Sequence, residues 1–332
     1  MDEHRVQSLR RLAVLGWDAA ARDALTALEA TGGFAGVAVG DHSGAALVRA
    51  RRATGLPCFQ RVDEMLRDAE YDALLLASDD DMAHASTVAA SRGAALLVLA
   101  DHADSEALEA ASGAASVHET PFALLRPALH EPGVPDLLSM IDRNPDWAPQ
   151  FLDVTVEGPL DTEWLLRRGV SYVVAIAGHI AGSVQAASWG TPRRSATAAV
   201  QAGGRQIVLR ARHAPDALTR ITGDSPAGAF EVRVDAERAL VAITSSNGER
   251  MRYEPDARDP WTAEATRVAA GTSADDLEAM RGAAALLDAV ERSAASGDAQ
   301  ETACCRRPAL RLIEGGGQPA LGRTRHLTVV GS

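Results

Sequence analysis

A chain of 332 residues with 46% hydrophobic and 23% charged residues has length for two domains with sizeable cores, and its composition excludes a disordered or fibrous polymer. A formal net charge of −12 argues against nucleic acid or an anionic membrane as the main partner. All 33 basic residues are arginine, so no chemistry that needs a lysine amine can operate here.

The stretch RLAVLGWDAAAR, residues 11–22, reads in order as a strand over 12–15, a tight turn at Gly16 and a helix over 19–30. That order opens a Rossmann-type unit, in which glycines let a dinucleotide's pyrophosphate approach the helix N-terminus. Gly16 is in place, but Asp18 stands where the second glycine belongs and Ala21 where the third does. Strands at 36–39, 58–59, 73–77 and 95–100 then alternate with helices at 45–54, 62–68, 82–92 and 106–112, the rhythm of a parallel sheet.

Past residue 120 the pattern changes. Proline-bearing segments at 121–135 and 144–149 read as connections, and 151–157 alternates like a half-buried strand. The apolar stretch 165–187 reads as the main helix of a second domain. Strand-like runs at 196–201, 206–212, 218–222, 229–234 and 239–244, separated by turns, predict a mostly antiparallel sheet. A late helix over 274–295 follows, and the tail after Asp298 reads as an extension with one or two short strands. The expected fold is α/β: an N-terminal Rossmann-like parallel-sheet domain (1–120), a C-terminal α/β domain with a large, mostly antiparallel open sheet (121–297), and an extension (298–332). Three cysteines (Cys58, Cys304 and Cys305), no signal-peptide core and no apolar run of membrane-spanning length point to the cytoplasm.

Several segments, taken together, resemble the Gfo/Idh/MocA oxidoreductases, the family of glucose–fructose oxidoreductase and inositol dehydrogenase. GVAVGD (36–41) is similar to the family's second strand, which ends in an acid for the adenosine ribose. YDALLLASDDDMAH (71–84) resembles the fourth strand and its loop, GVSYVVAIAGH (169–179) the helix carrying D-x-x-x-H, and 280–297 the closing helix. The resemblance implies NAD or NADP as cofactor, a sugar, cyclitol or related small metabolite as substrate, and homo-oligomers built through the C-terminal sheet. The departures gather at the chemistry. Lysine of the family's E-K-P is absent, with LADH (99–102) in its region, and Ala175 replaces the aspartate ahead of His179.

Candidate catalytic residues are therefore His179, Tyr172 seven residues earlier, and His102 at the end of the fifth strand, a candidate replacement for the missing lysine as proton donor. Candidate cofactor-binding residues are Gly16, Trp17, Asp18, Asp41, Ser78 and His84. Asp41 lies 25 residues after Gly16, near the spacing of a ribose-binding acid, or is a strand-end turn residue. Asp18 either caps the helix as a built-in anion mimic, leaving no cofactor, or turns outward beside a bound dinucleotide. Trp17 stacks on a ligand or covers the apolar side of the turn. Asp79–Asp81 with His84 read as a solvated helix start rather than a metal site, so no metal is expected. Cys304 and Cys305 are tail residues, and the arginine pairs Arg167–Arg168 and Arg193–Arg194 are solvated charge or a clamp for an anionic ligand.

Three functions remain open. One is an NAD(P)-dependent oxidoreductase. The second is an inactive relative that serves as a binding or assembly partner, and the third a cofactor-independent acid–base enzyme using His179. The first and third take a small-molecule ligand, and the second a protein partner or a small ligand in the cleft or on the open sheet.

Overall fold

The structure is a computed structural model, and it describes residues 9–302 apart from 79, 179–181, 191–193, 203, 257 and 272–273. His179, Arg193, Asp79, Cys304 and Cys305 thus lie outside the described residues.

The first domain runs β1 (Arg10–Leu15), α1 (Ala19–Ala30), β2 (Phe34–Gly40), α2 (Gly44–Thr54), β3 (Cys58–Phe59), α3 (Val62–Asp68), β4 (Ala73–Leu76), α4 (Met82–Ser91), β5 (Ala95–Leu99), α5 (Ser105–Val117) and β6 (Phe122–Leu125). Its six strands are all parallel, in the order β3-β2-β1-β4-β5-β6. The order reverses between β1 and β4, which opens a crevice at the carboxyl edge there. Every residue of β4, β5 and β6 is buried, as expected for strands covered on both faces. Strand β6 corrects the reading of 121–135 as connection and carries the first sheet five residues past the expected boundary at 120.

The second domain adds α6 (Val134–Arg143), β7 (Phe151–Gly158), α7 (Thr162–Ala177), β8 (Gly182–Trp189), β9 (Ser195–Ala202), β10 (Arg205–His213), β11 (Leu218–Ser225), β12 (Gly228–Asp235), β13 (Ala239–Ser245), β14 (Arg250–Tyr253), α8 (Pro260–Ala270), α9 (Ala274–Ser296) and β15 (Gln300–Glu301). Its nine strands lie in the order β14-β13-β12-β11-β7-β10-β9-β8-β15, antiparallel except for the β7–β10 pair. The expected helix over 165–187 ends instead at Ala177, where Gly178 at a φ of +72° closes it, and residues 182–187 belong to β8. Strand β7 alternates half-buried and buried residues, as a sheet packed on one face does. That face meets α7 and α9, and one continuous apolar cluster joins it to α4, α5 and the underside of the first sheet. Helix α8 returns to the first domain, where Ala265 and Val268 join the cluster of Leu25 and Leu28 on α1.

Candidate functional site

The fingerprint turn is built around Gly16. Its φ is +85°, and a Cβ there would stand 2.7 Å from the Ser78 Cβ and 2.8 Å from the Ala77 carbonyl oxygen, so only glycine lets β1 turn this close to the end of β4. Ser78 thus packs against the turn, and its Oγ accepts the Asp80 N–H at 3.3 Å. Trp17 is 5% exposed and sits in the apolar cluster shared with α1, so it covers the turn from inside.

Asp18 is the N-cap of α1, its Oδ1 accepting the Ala21 N–H at 2.8 Å. The side chain thereby satisfies a donor that the helix's first turn otherwise leaves open. Oδ2 of the same carboxylate lies 3.7 Å from His102 Nε2. Asp41 also turns inward: its Oδ2 accepts the Trp17 N–H at 2.8 Å and its Oδ1 the Ser43 N–H at 2.7 Å. Beside it, His42 Nε2 meets Asp81 Oδ2 at 2.7 Å, linking the loops that follow β2 and β4, the two strands flanking β1. His84 pairs with Asp63 of α3 at 2.8 Å, in solvent.

A nicotinamide dinucleotide can be tested against these residues. The strand, the turn and Gly16 fit one. The phosphate cradle does not: Asp18 holds the helix donor and adds a negative charge at the point of approach, while both Asp41 oxygens are committed to backbone N–H groups.

Beside the turn, a cavity of about 360 Å³ opens between the domains, at the carboxyl edge of the first sheet. Asp18 lines it from α1, Asp101 and His102 from the turn after β5, Glu131 from the segment after β6, Trp164 and Arg168 from α7, and Trp261 from α8. His102 is 6% exposed, and its Nδ1 lies 2.9 Å from the Ala77 carbonyl oxygen. That oxygen only accepts, so Nδ1 carries the hydrogen and Nε2 is the nitrogen that gains or loses a proton. The Trp164 ring meets the imidazole edge-on, with centroids 3.8 Å apart. Burial pushes the Asp101 carboxyl up, against the pull of Arg168 and Arg167.

Tyr172 is fully buried and does not line the cavity; its hydroxyl donates to Glu131 Oε2 at 2.6 Å. Arg168 pairs with the other Glu131 oxygen, and its Nε lies 3.5 Å from the Tyr172 hydroxyl. Among the sequence candidates, then, the structure brings Asp18 and His102 together, places Gly16, Trp17, Ser78 and Asp41 at the adjoining turn, puts Tyr172 behind the wall and leaves His84 outside. Sequence reasoning missed Glu131, Trp164 and Trp261. Trp261 had a signal, because Asp259 followed by Pro260 is an N-cap with proline in the first turn.

No protein-family model matches the chain, and no curated protein sequence matches it. Solved structures do. An oxidoreductase from Agrobacterium radiobacter, in complex with NAD+, L-tartaric acid and magnesium, aligns at TM-score 0.73 and 13% identity over 89% of this chain and 99% of that one. The UDP-N-acetylglucosamine 3-dehydrogenase GnnA from Acidithiobacillus ferrooxidans aligns at 0.69 and 18% over 86% and 97%. The fold is that of the Gfo/Idh/MocA oxidoreductases. A mutant of KijD10, a 3-ketoreductase from Actinomadura kijaniata solved with TDP-benzene and NADP, aligns with the same TM-score, 0.69, at 18% identity over 86% and 98%. At such identities the likeness is one of fold. Among the described residues no three His, Cys, Asp or Glu side chains group as metal ligands, and no helix is long and apolar enough to cross a membrane.

Proposed function

We propose that this protein is an oxidoreductase of the Gfo/Idh/MocA type that acts on a small hydroxylated metabolite, a sugar or cyclitol, held in the interdomain cavity. The observation that carries the reading is the cavity itself, a cleft at the carboxyl edge of a doubly wound sheet with His102 in its wall. The solved oxidoreductases of the same fold that hold NAD+ or NADP support it.

The chain's own residues supply binding and proton handling. His102, anchored at Nδ1 by Ala77, holds or releases a proton at Nε2, and Asp18 stabilises the imidazolium. Glu131, fixed by Arg168 and Tyr172, presents an oriented carboxylate for a ligand hydroxyl. A nicotinamide dinucleotide would supply or accept the hydride, and the Asp18 carboxylate that accepts the Ala21 N–H stands where its phosphates would approach.

A second reading is favoured by the commitment of both Asp18 and Asp41 to backbone donors: the cleft is closed to dinucleotides, and the fold serves as a small-molecule-binding module. Isothermal titration of the wild-type protein with NADH and with NADPH separates the two. Saturable binding below millimolar concentration supports hydride transfer; no heat at millimolar concentration sinks it and leaves the binding module. The second sheet is also proposed to pair copies of the chain, and light scattering that gives the monomer mass at micromolar concentration would count against that.

A further inference from the structure

Most of the wall of the interdomain cavity is apolar. Leu99, Leu125, Pro127 and Leu160 line it together with the indoles of Trp164 and Trp261. Leu160 is 41% exposed and both indoles are half-buried, so large apolar side chains present surface to the cavity that neither core covers. Apolar surface left open in a concavity marks a ligand surface. The Trp164 ring, edge-on to His102 with centroids 3.8 Å apart, puts part of that surface beside the group that handles the proton.

The polar side chains of the same wall are mostly occupied with one another. Asp18 caps α1 and meets His102, Asp23 pairs with Arg22 at 2.8 Å, and Glu131 holds both Arg168 and the Tyr172 hydroxyl. Asp101 is hydrogen-bonded to Ser171 and faces Arg167 and Arg168, and burial pushes it toward its neutral form. A fully hydroxylated ring would bring several hydroxyls into this wall, each needing a partner that the wall has already engaged. A buried hydroxyl without a partner weakens binding, and replacing it by hydrogen exchanges that loss for apolar contact.

Resting on the reading of this cavity as a small-molecule site, we infer that its ligand is a carbocycle poor in oxygen, the deoxygenated counterpart of a cyclitol with one or two hydroxyl or keto groups. The oxygen meets His102 or Glu131, and the hydrocarbon part of the ring covers Leu160 and the two indoles. The volume, about 360 Å³, is near the lower end of small-ligand pockets and suits one six-membered ring.

Three probes with the same six-carbon ring and different numbers of hydroxyls test this in the full-length protein: cyclohexanol, cyclohexane-1,2-diol and myo-inositol. Ligand-observed NMR and tryptophan fluorescence read the binding without cofactor or turnover. Cyclohexanol and the diol are expected to bind at millimolar concentration, and myo-inositol at least tenfold more weakly. Leu160→Asn puts a polar group at an exposed position of the apolar wall, where the fold makes little demand on the side chain. It is expected to weaken the diol at least threefold and not to weaken myo-inositol. Myo-inositol binding as tightly as the diol, or a diol affinity unchanged in Leu160→Asn, overturns the inference and leaves the cavity a site for hydroxylated metabolites. No binding of any of the three at tens of millimolar overturns the inference and that reading together. Failure of dinucleotide binding, by contrast, removes hydride transfer and leaves the ring preference standing.

Discussion

Asp18 gives its two oxygens to two neighbours, the Ala21 amide of α1 and the imidazole of His102. The capping bond has a measurable worth. Asp18→Ala is expected to lower stability by about 1 kcal/mol and Asp18→Asn by little, read as the shift of the urea midpoint at constant slope. Gly16→Ala is expected to cost more, about 2 kcal/mol or above, because it adds a Cβ against Ser78 and the Ala77 carbonyl at a φ of +85°. A Gly16→Ala protein as stable as wild type would show that the turn is not held as described. Both residues were legible in the sequence, since a glycine after a strand and a carboxylate at a helix start each follow from local rules. The commitment of Asp41 to the Trp17 and Ser43 amides was not, because the Trp17 contact joins residues 24 positions apart. Nor was the Arg168–Glu131–Tyr172 group, whose members come from two elements that no spacing rule links.

At the scale of elements, a buried ionic network ties α8 and α9 to β6 and the turn after it. Glu264, 1% exposed, accepts from Arg267 Nε and His130 Nε2, each at 2.8 Å, and from the Arg126 N–H at 2.6 Å. Arg267 and Arg126 also pair with the buried Asp276. Burial pushes the Glu264 carboxyl up, but the hydrogen bonds from Arg267 and His130 outweigh it and bring the pKa down to about 2. A depressed carboxylate pKa stabilises the fold fully above the unfolded value of 4.5, and that stability is lost as pH falls through about 2. The contribution is on the order of 3 kcal/mol, so acid unfolding should be less steep between those values in Glu264→Gln, which is itself destabilised by about 3–5 kcal/mol at neutral pH. Identical acid-unfolding curves for the two proteins would contradict this. Two of the network's elements, β6 and α8, are ones that sequence reading missed, whereas α9 was expected. Prolines at 121, 127 and 135 made 121–135 look like connection, although β6 begins after the first and α6 has the last in its opening turn. The strands of the first domain were legible because parallel strands buried on both faces are continuous apolar runs. In α7 and β8 the same continuity misled, since apolar composition does not separate a buried helix from a buried strand.

At the scale of the whole molecule, one apolar cluster crosses from the first sheet through α5, α9 and α7 to the second. Such a shared core predicts one cooperative thermal transition, and two resolved calorimetric peaks would argue against it. Across that core the two domains line a cavity at the carboxyl edge of the first sheet, and at the adjoining turn the start of α1 is capped by the chain's own carboxylate. The legible part of the site was this turn and His102. The rest of the wall comes from α7, α8 and the segment after β6, which meet only on folding.

The competition between Asp18 and a dinucleotide for the start of α1 is tested most directly by titrating NADPH and NADH, in parallel, into wild type and Asp18→Gly. Glycine at that position keeps most of the capping preference and removes the carboxylate. The account predicts at least tenfold tighter dinucleotide binding by Asp18→Gly than by wild type. Equal affinity, or tighter binding by wild type, would contradict it.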